Sequence, residues 1–171
     1  MSRNRSASSA RRPLYTAEQR ARRDSTKWTL VQGILAPLQF LAFAVSLILV
    51  LRYLVWGTGY EVATLSVIVK TAFLYVIMIT GAIWEKAVFG QYLLAPAFFW
   101  EDVFSFAVIA LHTAYILALL TNALTPNTLM LLALTAYATY VVNAAQFIWK
   151  LRLARLDMAQ SDRAMAKAVS A

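Results

Sequence analysis

The 171-residue chain has no cysteine and a single histidine, His112. Without cysteine there is no disulfide, no thiolate nucleophile, no iron–sulfur cluster and no cysteine-ligated zinc. One histidine cannot supply both axial ligands of a haem or a three-histidine zinc site. No glycine-rich phosphate loop, no G-x-S-x-G motif and no internal repeat occurs. Carboxylates are scarce as well: eight, against sixteen lysines and arginines.

What the chain has in quantity is apolar sequence, 61% of all residues, gathered in long blocks. Four blocks cover residues 28–56, 62–84, 103–121 and 129–149. Each is close to the roughly 20 residues that cross a ~30 Å hydrocarbon core. No water is available there to bond the backbone, so each block is expected to be a helix. The predicted fold is an all-α integral membrane protein with four transmembrane helices. A membrane domain over residues 14–156 is then flanked by a basic, disordered tail over 1–13 and a polar tail over 157–171. The first apolar block starts too late and runs too long for a signal peptide.

Charge is uneven along the chain. Residues 1–27 hold eight basic and two acidic side chains, and residues 150–171 hold five and two. Between them, three basic residues face four acidic ones. The basic residues flank spans, so the positive balance points to a membrane rather than to nucleic acid. The positive-inside rule places both termini in the cytoplasm, which agrees with four crossings. The lead-in from Thr16 has the pattern of a short basic helix lying on anionic lipid.

Polar residues inside the spans follow helical spacing. Gln32, Gln39, Ser46 and Tyr53 recur every seven residues and share a face of the first span. A lipid-facing glutamine is costly, so this stripe is expected to face the other helices. Glu101, Ser105 and His112 share a face of the third span, with His112 ~16 Å deep at 1.5 Å per residue. Asn143 and Gln146 are expected to face the bundle from the fourth. Lys70, in the second span, is expected to snorkel outward or pair with Glu61, with a buried role as the alternative.

Three of the eight carboxylates, Glu85, Glu101 and Asp102, lie within the stretch from Trp84 to Phe106. Each sits where an apolar block meets a short aromatic connection, and partial desolvation there makes a carboxylate a candidate for chemistry. The connection itself, AVFGQYLLAPAFFW, is apolar but broken by Gly90 and Pro96 and too short to cross. It reads as a re-entrant or interfacial segment between helices 2 and 3. Its aromatics form either a headgroup belt or a platform for a planar ligand.

Several strings in these regions carry a resemblance: WTLVQGILAPLQFLAF (28–43), IWEKAVFGQYLLAPAFFWEDVFS (83–105), ALHTAY (110–115) and the lead-in YTAEQRARRD (15–24). They closely resemble the 2-vinyl bacteriochlorophyllide hydratase family, over roughly residues 14–156. The resemblance implies hydration of the C3-vinyl group of chlorophyllide a, or a related bacteriochlorin, to a 1-hydroxyethyl group in bacteriochlorophyll biosynthesis. It implies water as co-substrate and no cofactor, with magnesium carried by the tetrapyrrole. It also implies a place in the bacterial inner (intracytoplasmic) membrane, among lipid and other enzymes of that pathway.

Such a reaction needs a proton at the terminal vinyl carbon, a positioned water and a group to take up a proton. Glu101 and Glu85 are the leading candidates for the acid, with Asp102 behind them and His112 as a relay or as an axial ligand to the substrate's magnesium. Adjacent acids such as Glu101 and Asp102 can share a proton. Gln39, Ser105 and Asn143 are candidates to orient water. Trp84, Phe98, Phe99 and Trp100 are candidates to stack on the macrocycle, and Lys86, Lys150 or Arg152 to meet its propionate. The chain has no metal site of its own in this reading. Two rival readings use the same residues: a non-catalytic pigment-binding or assembly protein, and a small four-helix transporter.

Overall fold

A computed structural model describes residues 14–169, all in helices and short connections. Five helices follow one another: α1 (Ala17–Ser25), α2 (Lys27–Trp56), α3 (Tyr60–Phe89), α4 (Phe99–Leu120) and α5 (Pro126–Val169). Residues 1–13, expected to be a disordered tail, lie outside the described residues.

The short helix starts on a capping box. The Thr16 hydroxyl accepts from the Gln19 amide and the Gln19 side chain accepts from the Thr16 amide, which satisfies two of the free N–H groups at this end. Helices α2 and α3 have 30 residues each, ~45 Å at 1.5 Å per residue. They exceed a ~30 Å hydrocarbon core, so their ends stand in the interfacial region. Gly57 ends α2 at φ 69°, in the left-handed region where side chains are disfavoured, and its N–H returns to the Tyr53 carbonyl.

Four helices are long and apolar enough to cross a membrane, and the protein is multi-pass. Large side chains such as Leu30, Phe40, Ile48 and Val55 lie exposed along α2, as a lipid-facing surface requires. α2 packs along α3, and α4 along α5, so the bundle is two hairpins joined by fewer contacts. The join is where the predicted stripe of α2 falls: Gln39, Ser46 and Tyr53 are buried with Phe43 and Val50 between them. The Ser46 hydroxyl meets Tyr137 of α5 at 2.5 Å and Ser66 of α3 at 2.7 Å.

Two expectations change. The predicted connection between spans shortens: residues 85–89 complete α3 and residues 99–102 begin α4, leaving residues 90–98 between the helices. Lys70 does not snorkel. It is fully buried, its amine 2.5 Å from His112 Nε2 and 4.4 Å from the centre of the Tyr140 ring. Ala63, Val67 and Leu74 are buried on the same face, so Lys70 belongs to the inward stripe of α3 and its stem has no outward path. At the other boundary, α5 runs as one helix through residue 156 to Val169.

Candidate active site

The chemistry-bearing side chains converge at one end of the bundle, where α3 stops and α4 starts. Gly90 ends α3 at φ 87°, a conformation open to glycine, and the Lys86 amine covers its carbonyl at 2.7 Å. The chain then turns back through Leu94, which holds φ 59°. Left-handed backbone is unusual for a leucine and needs outside support. The two carboxyl groups supply it. Asp102 Oδ2 accepts from the Leu94 amide at 2.7 Å, and Glu85 Oε2 accepts from the Ala95 amide at 3.2 Å. Glu85 from α3 and Asp102 from α4 thus clasp successive amides of the connection.

The same two carboxyl groups lie within hydrogen-bonding reach of each other. They are 5% and 3% exposed, so water does little to separate their charges. Two carboxyl groups in contact can hydrogen-bond only if one holds a proton.

Glu101 stands apart from that clasp. Its Oε2 lies 2.5 Å from the Lys150 amine of α5, and the same amine sits 5.1 Å from the centre of the Phe98 ring. This part-buried ion pair directs the carboxylate at its partner on α5. Sequence reasoning paired Glu101 with Asp102 because they are neighbours in the chain. Helical geometry separates them by about 100°, and the contact forms between Glu85 and Asp102 instead.

Phe98 is 2% exposed at the centre of an aromatic cluster. Trp84, Phe89 and Phe147 surround it with ring centres 5.7–5.9 Å away, and Tyr15 joins at 6.4 Å. Trp84 is also fixed by its indole N–H, which donates to Thr29 of α2 at 2.9 Å. These two rings pack the bundle end, Phe98 buried and Trp84 partly so. Phe99 and Trp100 are both exposed and touch edge to face at 5.4 Å. Lys86 is exposed beside the Tyr92 ring.

One turn inward, Ser105 donates to the Glu101 carbonyl and accepts from Asn143 Nδ2, both at 2.9 Å. Gln39 of α2 is buried as well. Deeper again, His112 donates through Nδ1 to the Val108 carbonyl at 2.7 Å, and its Nε2 lone pair receives Lys70. Both imidazole nitrogens are engaged, so a metal could bind only by displacing Lys70.

The sequence alone does not pair Lys70 with His112 or Lys150 with Glu101. A signal was present for each. Lys70 falls on the Ala63, Val67, Leu74 stripe, and Lys150 continues the Asn143, Gln146 line of α5 at the next helical repeat.

No solved structure matches the chain. Among curated proteins, 2-vinyl bacteriochlorophyllide hydratase of Rhodobacter capsulatus is 69% identical over 153 residues, 90% of this chain and 89% of the relative. The protein of the same name from Cereibacter sphaeroides is 72% identical over 148 residues, 86% of this chain and 91% of the relative. The 2-vinyl bacteriochlorophyllide hydratase family matches residues 15–153. That match spans α1 to α4, α5 as far as residue 153 and every residue of the carboxylate end described above, and the chain belongs to this family.

Proposed function

We propose that the protein adds water to the C3-vinyl group of chlorophyllide a, or of a closely related bacteriochlorin, and that the Glu85–Asp102 pair moves the protons. The observation that carries the mechanism is the contact between these two carboxyl groups at the membrane-boundary end of the bundle. The relatives' names support the substrate class.

The pair starts with one proton. That proton passes to the terminal vinyl carbon and leaves positive charge on the carbon beside the ring, where the macrocycle spreads it. Water adds to that carbon. The adduct then loses a proton to the pair, now a dianion, and the shared proton is restored. Atoms and charge balance over the cycle, and no redox cofactor is required. Two carboxylates held in contact favour proton return, because their repulsion is relieved on protonation.

Glu101, anchored by Lys150, is a fixed negative charge near the developing cation. Phe99 and Trp100 are the exposed aromatics on which the macrocycle would stack at this end, and Lys86 is a cation for its propionate. The buried Phe98 and the partly buried Trp84 hold the scaffold behind them. The His112–Lys70 contact argues for a structural role of His112 over ligation of the substrate's magnesium.

The basic flanks support an orientation with both termini in the cytoplasm of a phototrophic bacterium's inner membrane. There the substrate partitions with lipid, and neighbouring pigment enzymes can exchange it.

The direct test is incubation of membranes containing the protein with chlorophyllide a. A product heavier by one water supports the reading. Retention of unaltered pigment on the protein would mark it as a binding protein instead.

A further inference from the structure

Inward of the carboxyl pair, three amide side chains carry buried polar atoms without a partner. Gln39 is 2% exposed, and no described residue partners either its Nε2 or its Oε1. Asn143 is 9% exposed; its Nδ2 is used by Ser105, while its Oδ1 is unpartnered. Gln146 Oε1, one turn nearer the end of α5, is also unpartnered. Buried polar groups are paired as a rule, so unpartnered atoms on neighbouring turns point to a ligand.

Helix register brings them to one layer. α2 and α5 are antiparallel, and Ser46 meets Tyr137 while the Phe43 and Tyr140 rings sit 5.0 Å apart. One further turn toward the carboxylate end puts Gln39 level with Asn143. The Ser105–Asn143 bond ties this layer to α4 one turn inside Glu101 and Asp102. The rings of Phe43 and Tyr140 close it on the inner side.

The atoms define the ligand. Gln39 Nε2 offers donors, and the oxygens of Gln39, Asn143 and Gln146 offer acceptors. The unpartnered atoms all belong to neutral amides. A neutral ligand that both donates and accepts fits, and water does so with two to four polar partners.

We propose that Gln39 and Asn143 form an internal water site one turn inside the carboxyl pair, and that this site supplies the water added to the vinyl group. The second half rests on the hydratase reading; the first does not. Gln39 acts as a positioning residue. It holds the water's oxygen toward the cation while the pair takes the proton.

The test uses the full chain in lipid nanodiscs. Infrared difference spectra between ordinary and heavy-oxygen water should show an O–H stretch from internal water in the parent. Gln39→Leu should lose that band and keep its helical content, with Gln39→Met as the second variant if leucine prevents folding. With chlorophyllide a, the variant's kcat should fall about 100-fold, the scale of a misplaced reactant, with KM unchanged. A purely structural role would not separate kcat from KM in this way. A parent without the band, or with one that Gln39 variants retain, overturns the site. Loss of the band with parental kcat overturns its role as the source of the reacting water. A parent that shows the band but hydrates no pigment retires the hydratase reading and leaves the water site standing.

Discussion

The Lys150 amine lies 2.5 Å from Glu101 Oε2, across from α5 to α4. This ion pair divides the three carboxylates of the bundle end into two kinds. Glu101 is a charged anchor between helices. Glu85 and Asp102 clasp the Leu94 and Ala95 amides, and in the proposed mechanism they carry the proton. Glu101→Gln should therefore lower the thermal unfolding midpoint, because it strands the Lys150 amine, while leaving kcat within about tenfold of the parent. A drop of about 1,000-fold in kcat with unchanged stability would return Glu101 to the role of general acid.

Glu85→Gln and Asp102→Asn should each reduce kcat by on the order of 10²–10⁴-fold, the usual loss when a general acid is removed. Both amides can still hydrogen-bond to the connection, so pigment binding followed by absorbance should survive. The double variant should be little worse than either single one, since the two groups share one proton and act as a unit. Additive losses would show two independent groups.

Reporter fusions give the orientation. A fusion at residue 58 or 125 falls in a short connection between long helices and should report periplasm, while a C-terminal fusion should report cytoplasm. Cytoplasmic signal from either connection would invert the bundle and put the carboxylate end on the opposite face.

The spans were legible because membrane helices declare themselves by length and apolarity. The stripe of Gln39, Ser46 and Tyr53 was legible for a related reason, since a polar residue in lipid must turn inward. The carboxylate end was legible as a region but not as a set of contacts. Pairing Glu85 with Asp102 depends on how residues 90–98 fold back, and on the left-handed turn at Leu94, which no local preference of leucine predicts. Lys70 misled for a different reason. Long cationic side chains usually reach an interface, and only the histidine 42 positions away on another helix explains why this one stays inside.

Tyr15 gives a pH prediction outside the membrane spans. It is 4% exposed, stacked on Phe89 at 5.8 Å, with the Arg23 guanidinium over its ring. Burial pushes its phenol from 10.0 up to about 12, opposed in part by Arg23. The folded state therefore holds this proton more tightly than the free chain. The contribution is complete below pH 10 and is lost as pH rises toward 12. The lead-in segment should detach over that window, which Trp84 fluorescence would register because Trp84 packs in the same cluster. Tyr15→Phe should remove the alkaline step; an unchanged step would assign it to another group.

Lys70 and His112 provide a test of what joins the two hairpins. His112 Nδ1 donates to the Val108 carbonyl, so Nε2 is left as the acceptor for the Lys70 amine. Neither side chain has any exposed surface. His112→Leu leaves a buried amine with only the Tyr137 and Tyr140 rings for company, and should destabilise by about 3–5 kcal/mol, the scale for a broken buried pair. Lys70→Met leaves a single neutral acceptor unpaired and should cost less, about 1–3 kcal/mol. The combination of Lys70→Met with His112→Leu should recover most of the loss, because neither polar group is then left alone. Thermal unfolding of the four proteins in one detergent measures the coupling directly. Simple additivity of the two losses would show that the contact does not hold the hairpins together.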